Sequence, residues 1–195
     1  LNRIHAILGW SQSCIAVHPS DMCVVLAMLD AKVHVSGPQG AREIAFADFH
    51  RLPGETPNVD TNLAPHEIVT AIELPPQGFS KHCTYIKNRD RLSYAFALIS
   101  ASVGLEMEGE TIHEARFALG GVAHKPWRNK DAEALLSGQK ASAENFHKAA
   151  ALFLRDAKGF AHNGFKIDLA RRVIVRALTQ AARGTPQVQS IKKLR

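Results

Sequence analysis

The chain has 195 residues, 46% of them hydrophobic and 22% charged, with a formal net charge of +6. That is the make-up of an ordinary soluble globular protein, of a size for one comfortable domain or two small ones. No apolar run reaches the roughly 18 residues that span a membrane, because Asp30, Lys32 and Glu106 interrupt the best candidates.

The start, LNRIHAILGWSQS, lacks the charged-then-apolar pattern of a signal peptide and has no initiator Met, so a fragment or processed chain is expected. A helix is expected over 19–31, where Pro19 and the N-cap Ser20 precede Asp21 and the run MCVVLAMLDA. AKVHVSGPQGAREIAF alternates on both sides of a Gly-Pro-Gln-Gly turn and reads as a hairpin. FADFHRLPGETPN gives a short helical turn and a loop. HEIVTAIELPPQG gives a strand with Ile68, Thr70 and Ile72 on one face, ended by Pro75 and Pro76.

Three strands follow: HCTYIKN, the long YAFALISASVGLEME, and HEARFALGGV, the last two joined through Glu108-Gly109-Glu110 into a meander. Helices are expected over 131–136, 142–157 and 164–182, and the final QVQSIKKLR reads as a frayed tail. The expectation is an α+β chain with residues 1–79 and 80–185 as its two parts and 186–195 as a flexible tail.

Charge is uneven. From 163 to 195 there are eight basic residues, Lys166 among them, against the single acid Asp168. No aromatic residues interleave with these charges to stack bases, so a nucleic-acid partner is not expected. The same helix carries an apolar stripe, Phe165, Leu169, Val173 and Leu178, with its basic residues read as a solvated face.

Cys14, Cys23 and Cys83 are too few and too irregular for a disulfide framework. Cys23 and Cys83 read as packed thiols. No Cys-x-x-Cys or His-x-x-His pair exists, so linear spacing offers no zinc site, and most of the ten scattered histidines read as surface or capping residues. Cys14, four residues before His18-Pro19, remains open between a packed thiol, half a disulfide and a metal ligand. No Walker loop, Gly-x-Ser-x-Gly or His-Glu-x-x-His is present. The Gly-Gly pair of ALGGVAHKP reads as a close backbone approach. YIKNRDRLSYAFA crowds Lys87, Arg89 and Arg91 beside Ser93 and Tyr94, either as a solvated turn or as a cationic rim for an anionic ligand.

Taken together, CIAVHPSDM, LPGETP, HEIVTAIELP, IKNRDRLSYAFAL and ALGGVAHKPWR resemble the FAD-binding medium subunit of the xanthine dehydrogenase and aldehyde oxidoreductase group, the molybdenum hydroxylases. The similarity runs from about Asn2 to about Arg183. It implies the end of an FAD-binding domain followed by the C-terminal domain of the CO dehydrogenase flavoprotein type, an antiparallel meander plus helices. It implies FAD as the cofactor, with Asp21 and His18 of the HPSD stretch, Val69, Lys87 and Arg89 at the flavin; Arg91, Ser93 and Tyr94 share the Lys87 motif. In the aldehyde oxidoreductase branch it further implies a 4Fe-4S cluster in the complete subunit, with Cys14 as its last ligand. The implied partners are a large subunit with the molybdenum cofactor and a small subunit with 2Fe-2S clusters, in a periplasmic exported complex or in the cytoplasm.

Overall fold

The computed structural model describes residues 2–76 and 78–184, so the expected tail lies outside the described residues. Two antiparallel sheets carry the chain. The first has β1 (Lys32–Gly37), β2 (Gly40–Ala45) and β3 (Ile68–Glu73) in the order β2-β1-β3. The second runs in sequence order through β4 (Cys83–Asn88), β5 (Ile99–Glu108), β6 (Thr111–Gly120) and β7 (Trp127–Arg128). Five α-helices and a single 3-10 turn at Phe79–Lys81 complete the described residues: α1 (Asp21–Met28), α2 (Phe46–Phe49), α3 (Lys130–Leu136), α4 (Ala143–Phe153) and α5 (Phe165–Ala182).

Helix α1 begins where its cap chemistry places it. Ser20 is extended, at φ −151° and ψ 127°, and its hydroxyl accepts the Cys23 N–H at 3.1 Å. Asp21 then sits in the first turn, where the helix dipole favours an acid. The helix is apolar almost all round, which demands cover on more than one side. Val24, Leu26, Ala27 and Met28 are all buried, in a core shared with Val33, Val35 and Ile44 of the first sheet and Ala118 of the second. α1 is therefore the layer between the two sheets.

The second core is larger. Ile99 to Leu105 of β5 are buried at every position, as expected for a strand covered on both faces. α5 covers one face and α1 the other, with α4 packed on α5. Phe117 of β6 stacks on Phe153 of α4 at 5.0 Å. Ile7 and Leu8 join this core, held by N–H bonds to the Val122 carbonyl at 2.9 and 3.0 Å. The N-terminal segment thus packs with the late part of the chain.

The Gly-Gly pair does what the sequence suggests. A Cβ on Gly120 falls 2.4 Å from Ser100 Oγ and 2.5 Å from Val24 Cγ2, and Gly121 has a φ of +74°. Only glycine fits both places.

Three expectations need correction. The expected shared face of Ile68, Thr70 and Ile72 on β3 is broken, because the pairing with β1 shifts register between His34 and Val35 and skips Thr70; all six β3 residues are exposed. The stripe of α5 is Lys166, Ala170, Val173, Ile174, Ala177, Leu178 and Ala181, while Phe165 is 43% exposed. Lys166, counted among the solvated cations, is fully buried, with Nζ donating to the carbonyls of Ile4, His5 and Gly121 at 2.9, 2.8 and 2.6 Å. Those three acceptors set the rotation of the helix.

Candidate functional site

The first turn of α1 points Asp21 at β4. Residues two apart on a strand share a face, so Tyr85 and Lys87 both reach the same carboxylate. The Tyr85 hydroxyl donates to Oδ1 and the Lys87 ammonium to Oδ2, each at 2.7 Å. Burial pushes the Asp21 carboxyl up, but the hydrogen bonds from Lys87 and Tyr85 and the charges of Lys87 and Arg89 outweigh it and hold it below the usual range. Tyr85 is raised, by burial first and then by its bond to Asp21. At neutral pH this is an anion under two cations and a neutral phenol. The contact bridges the early and late parts of the chain.

Beyond β4 the loop over 89–97 stands out from the protein. Leu92 is 83% exposed, Tyr94 93% and Phe96 73%. Tyr94 has a φ of +51°, which a non-glycine residue adopts at a cost. Both Arg91 Nε, at 3.0 Å, and Arg91 Nη2 donate to the Tyr94 carbonyl and hold that conformation.

The structure brings Asp21 and Lys87 into contact and Arg89 within range of their charge. Val69 stands on the other sheet, paired with Val35 across the ladder and 44% exposed. His18 turns elsewhere: its backbone N–H donates to the Ala123 carbonyl, and its ring lies 4.2 Å from that of His50. Cys14 is half-buried in the turn closed by Ser11 N–H to Cys14 O at 3.1 Å. Sequence reasoning missed Tyr85, although its place two residues before Lys87 on a strand was a usable signal. It also missed His50, which no local pattern marks.

A flavin dinucleotide requires cations for its phosphates and apolar surface for its ring. Lys87 and Arg89 are cations, and Val69, Leu92, Tyr94 and Phe96 are exposed apolar groups, so the residues present fit FAD in kind. A 4Fe-4S cluster requires four thiolates. The chain has three cysteines, and neither group of three close His, Cys, Asp or Glu donors among the described residues contains Cys14. This chain by itself does not complete such a cluster.

A second charged centre ties α1 to the late strands. Arg128 of β7 makes a forked pair with Glu133 of α3, at 2.8 Å through both Nε and Nη2, and Nη1 donates to Ala27 O at 2.8 Å and to Asp30. Arg116 joins Asp30 at 3.0 Å. These groups line a cleft of about 340 Å³ at the opposite end of α1 from Asp21.

The chain matches known proteins along most of its length. Residues 12–77 match the FAD binding domain in molybdopterin dehydrogenase, and residues 84–181 the CO dehydrogenase flavoprotein C-terminal domain. The chain is 44% identical over 182 residues to the aldehyde oxidoreductase FAD-binding subunit PaoB of Escherichia coli K12, covering 92% of this chain and 54% of that protein. It is 36% identical over 121 residues to the glyceraldehyde dehydrogenase medium chain of Sulfolobus acidocaldarius, covering 62% of this chain and 41% of that one. Among solved structures, reconstituted CO dehydrogenase from Oligotropha carboxidovorans superposes with a TM-score of 0.75 at 25% identity, over 85% of this chain and 57% of that chain. The chain spans about half the length of the curated relatives it matches. No helix among the described residues is long and apolar enough to cross a membrane. The paired domain matches, the close identity to PaoB and the shared fold place the chain in the molybdenum hydroxylase family, as a member of its FAD-binding subunits.

Proposed function

We propose that the chain holds FAD on the electron path of an aldehyde-oxidising molybdenum enzyme. The observation that carries this reading is the Asp21–Lys87–Tyr85 contact beside the exposed Arg89–Ala97 loop. In this reading Asp21, Lys87 and Arg89 face the cofactor, with Val69 and the exposed rings of the loop as apolar cover. Bound FAD would supply the redox chemistry between partner centres and an acceptor. The chain's own residues position and tune. Lys87 favours negative charge nearby, Asp21 opposes it, and the apolar side chains of the loop exclude water.

The partners in this reading are a large subunit with the molybdenum cofactor and a small one with 2Fe-2S clusters. Identity to an aldehyde oxidoreductase subunit favours an aldehyde as substrate of the assembly. Cys14 contributes one thiolate toward a 4Fe-4S cluster whose other ligands come from outside this chain. Iron and sulfide analysis of the assembled subunit with Cys14→Ser tests that role, and four irons retained per subunit refute it. The function itself is tested by the absorbance and flavin content of the assembled subunit. One FAD per chain is expected, and a colourless, flavin-free preparation overturns the reading.

A further inference from the structure

Asp21 and Cys23 are two residues apart on α1, so at about 100° per residue they face nearly opposite ways. Behind the Asp21–Lys87 contact, Cys23 meets His18 from the preceding loop and His50 from the end of α2. One donor atom of each lies within 4.8 Å of the other two. The His18 and His50 rings are tilted at 50° to each other, and Phe46 and Phe49 pack against His50 at 5.5 and 5.0 Å. His50 is 8% exposed. Its Nδ1 and the Nε2 of His18 are both buried with no hydrogen-bond partner among the described residues.

An unpaired buried imidazole nitrogen costs about 1–3 kcal/mol. Two of them beside a thiol make a costly way to fill space, and a cation offers both nitrogens a partner at once. The other cluster of this kind, His34 with Glu43 and Glu73, is exposed and already shares its carboxylates with Lys32 at 3.2 and 3.5 Å. It makes no comparable demand.

We propose that His18, Cys23 and His50 bind a borderline divalent cation of the zinc class, separate from the flavin contact at Asp21. Two imidazole nitrogens and one thiolate are the donors zinc prefers, and three protein ligands leave the fourth tetrahedral position for water. Zinc bonds of about 2.0–2.3 Å put ligand atoms roughly 3.5 Å apart, which small side-chain rotations reach from the present spacing. Asp60, whose charge acts on both histidines, is the nearby carboxylate; Lys125 opposes it at His50. Burial keeps both imidazoles in the neutral form that carries a free lone pair. The ion then clips the start of α1 to the end of α2, and His18 serves it rather than the flavin. The spacing in sequence, five residues and then twenty-seven, matches no linear zinc motif.

The test loads the chelator-treated full chain with zinc, or with cobalt as a coloured stand-in. One equivalent of zinc surviving desalting, a thiolate-to-cobalt charge-transfer band, and a zinc-dependent rise in melting temperature are expected. Cys23→Ser abolishes the band and the thermal shift, His50→Phe weakens zinc binding at least tenfold, and His147→Gln, at an exposed position of α4, changes none of the three. Cys23→Ala guards against a folding defect, since its zinc-free melting temperature should stay near that of the parent chain. Zinc at well under one equivalent in the parent chain, or a charge-transfer band that survives Cys23→Ser, overturns the proposal and leaves the three residues as a packed stack.

Discussion

Arg128 is the most exacting place to test the packing that positions α1. Its side chain is 10% exposed and that of Glu133 6%, so Arg128→Met leaves a carboxylate buried without its forked partner. Removing one member of such a pair costs about 3–5 kcal/mol. Glu133 keeps the Phe117 N–H at 3.0 Å and a distant Lys130 at 3.9 Å, which favours the lower end of that range. The Ala27 carbonyl and Asp30 also lose a donor, so the end of α1 loosens with the pair. For a chain of this size the loss corresponds to a fall of roughly 6–20 °C in melting temperature. Urea unfolding followed by circular dichroism measures it directly. Arg128→Met with Glu133→Gln should be less damaging than Arg128→Met alone, because the amide still accepts from Phe117 and no charge is stranded. A loss below about 1 kcal/mol in the single variant, or a double variant worse than the single, refutes the reasoning.

Gly121→Ala should lower stability by about 1–3 kcal/mol more than Gly138→Ala. Both glycines have positive φ, at +74° and +71°, but a Cβ at Gly121 meets Leu98 O at 2.8 Å and one at Gly138 meets nothing within 4 Å. Equal losses in a thermal melt contradict this. Burial lowers Lys166 from 10.5 to about 8, so above pH 8 the folded state has lost a proton that the unfolded chain still holds. Stability relative to Lys166→Met should then rise with pH, by at most about 3 kcal/mol, as the medium passes from pH 8 to 10.5. The neutral amine has two hydrogens for three carbonyls, which trims the gain; a flat difference across that window refutes the assignment.

What could be read in advance was local chemistry. The start of α1 follows from Ser20 and Asp21, and the hairpin of β1 and β2 from alternation around Pro38 and Gln39, since each signal lies within a few residues of its effect. β7 escaped notice because two residues beside Pro126 show no alternation. Lys166 looked like a surface cation because its three acceptors lie at positions 4, 5 and 121, and only the folded chain assembles them. Asp21 and Lys87 were both singled out through the family resemblance. Their meeting depends on α1 lying across β5 and β6, which brings Asp21 to the side chains of β4, and no spacing reveals that. For the same reason His50 carried no signal at all: its neighbours His18 and Cys23 come from a different turn of the chain.

The central claim is that Asp21 and Lys87 form one electrostatic unit beside the flavin. In the assembled subunit, Lys87→Met removes the cation and leaves the carboxylate, so the flavin reduction potential should fall. Asp21→Asn removes the anion and leaves the ammonium, so the potential should rise. Lys148→Met, on the exposed outer face of α4, should leave it unchanged. Spectroelectrochemical titration of the three variants gives the answer. Shifts of opposite sign at positions 21 and 87 are the expected result; shifts of the same sign, or none larger than that of the Lys148 control, contradict it.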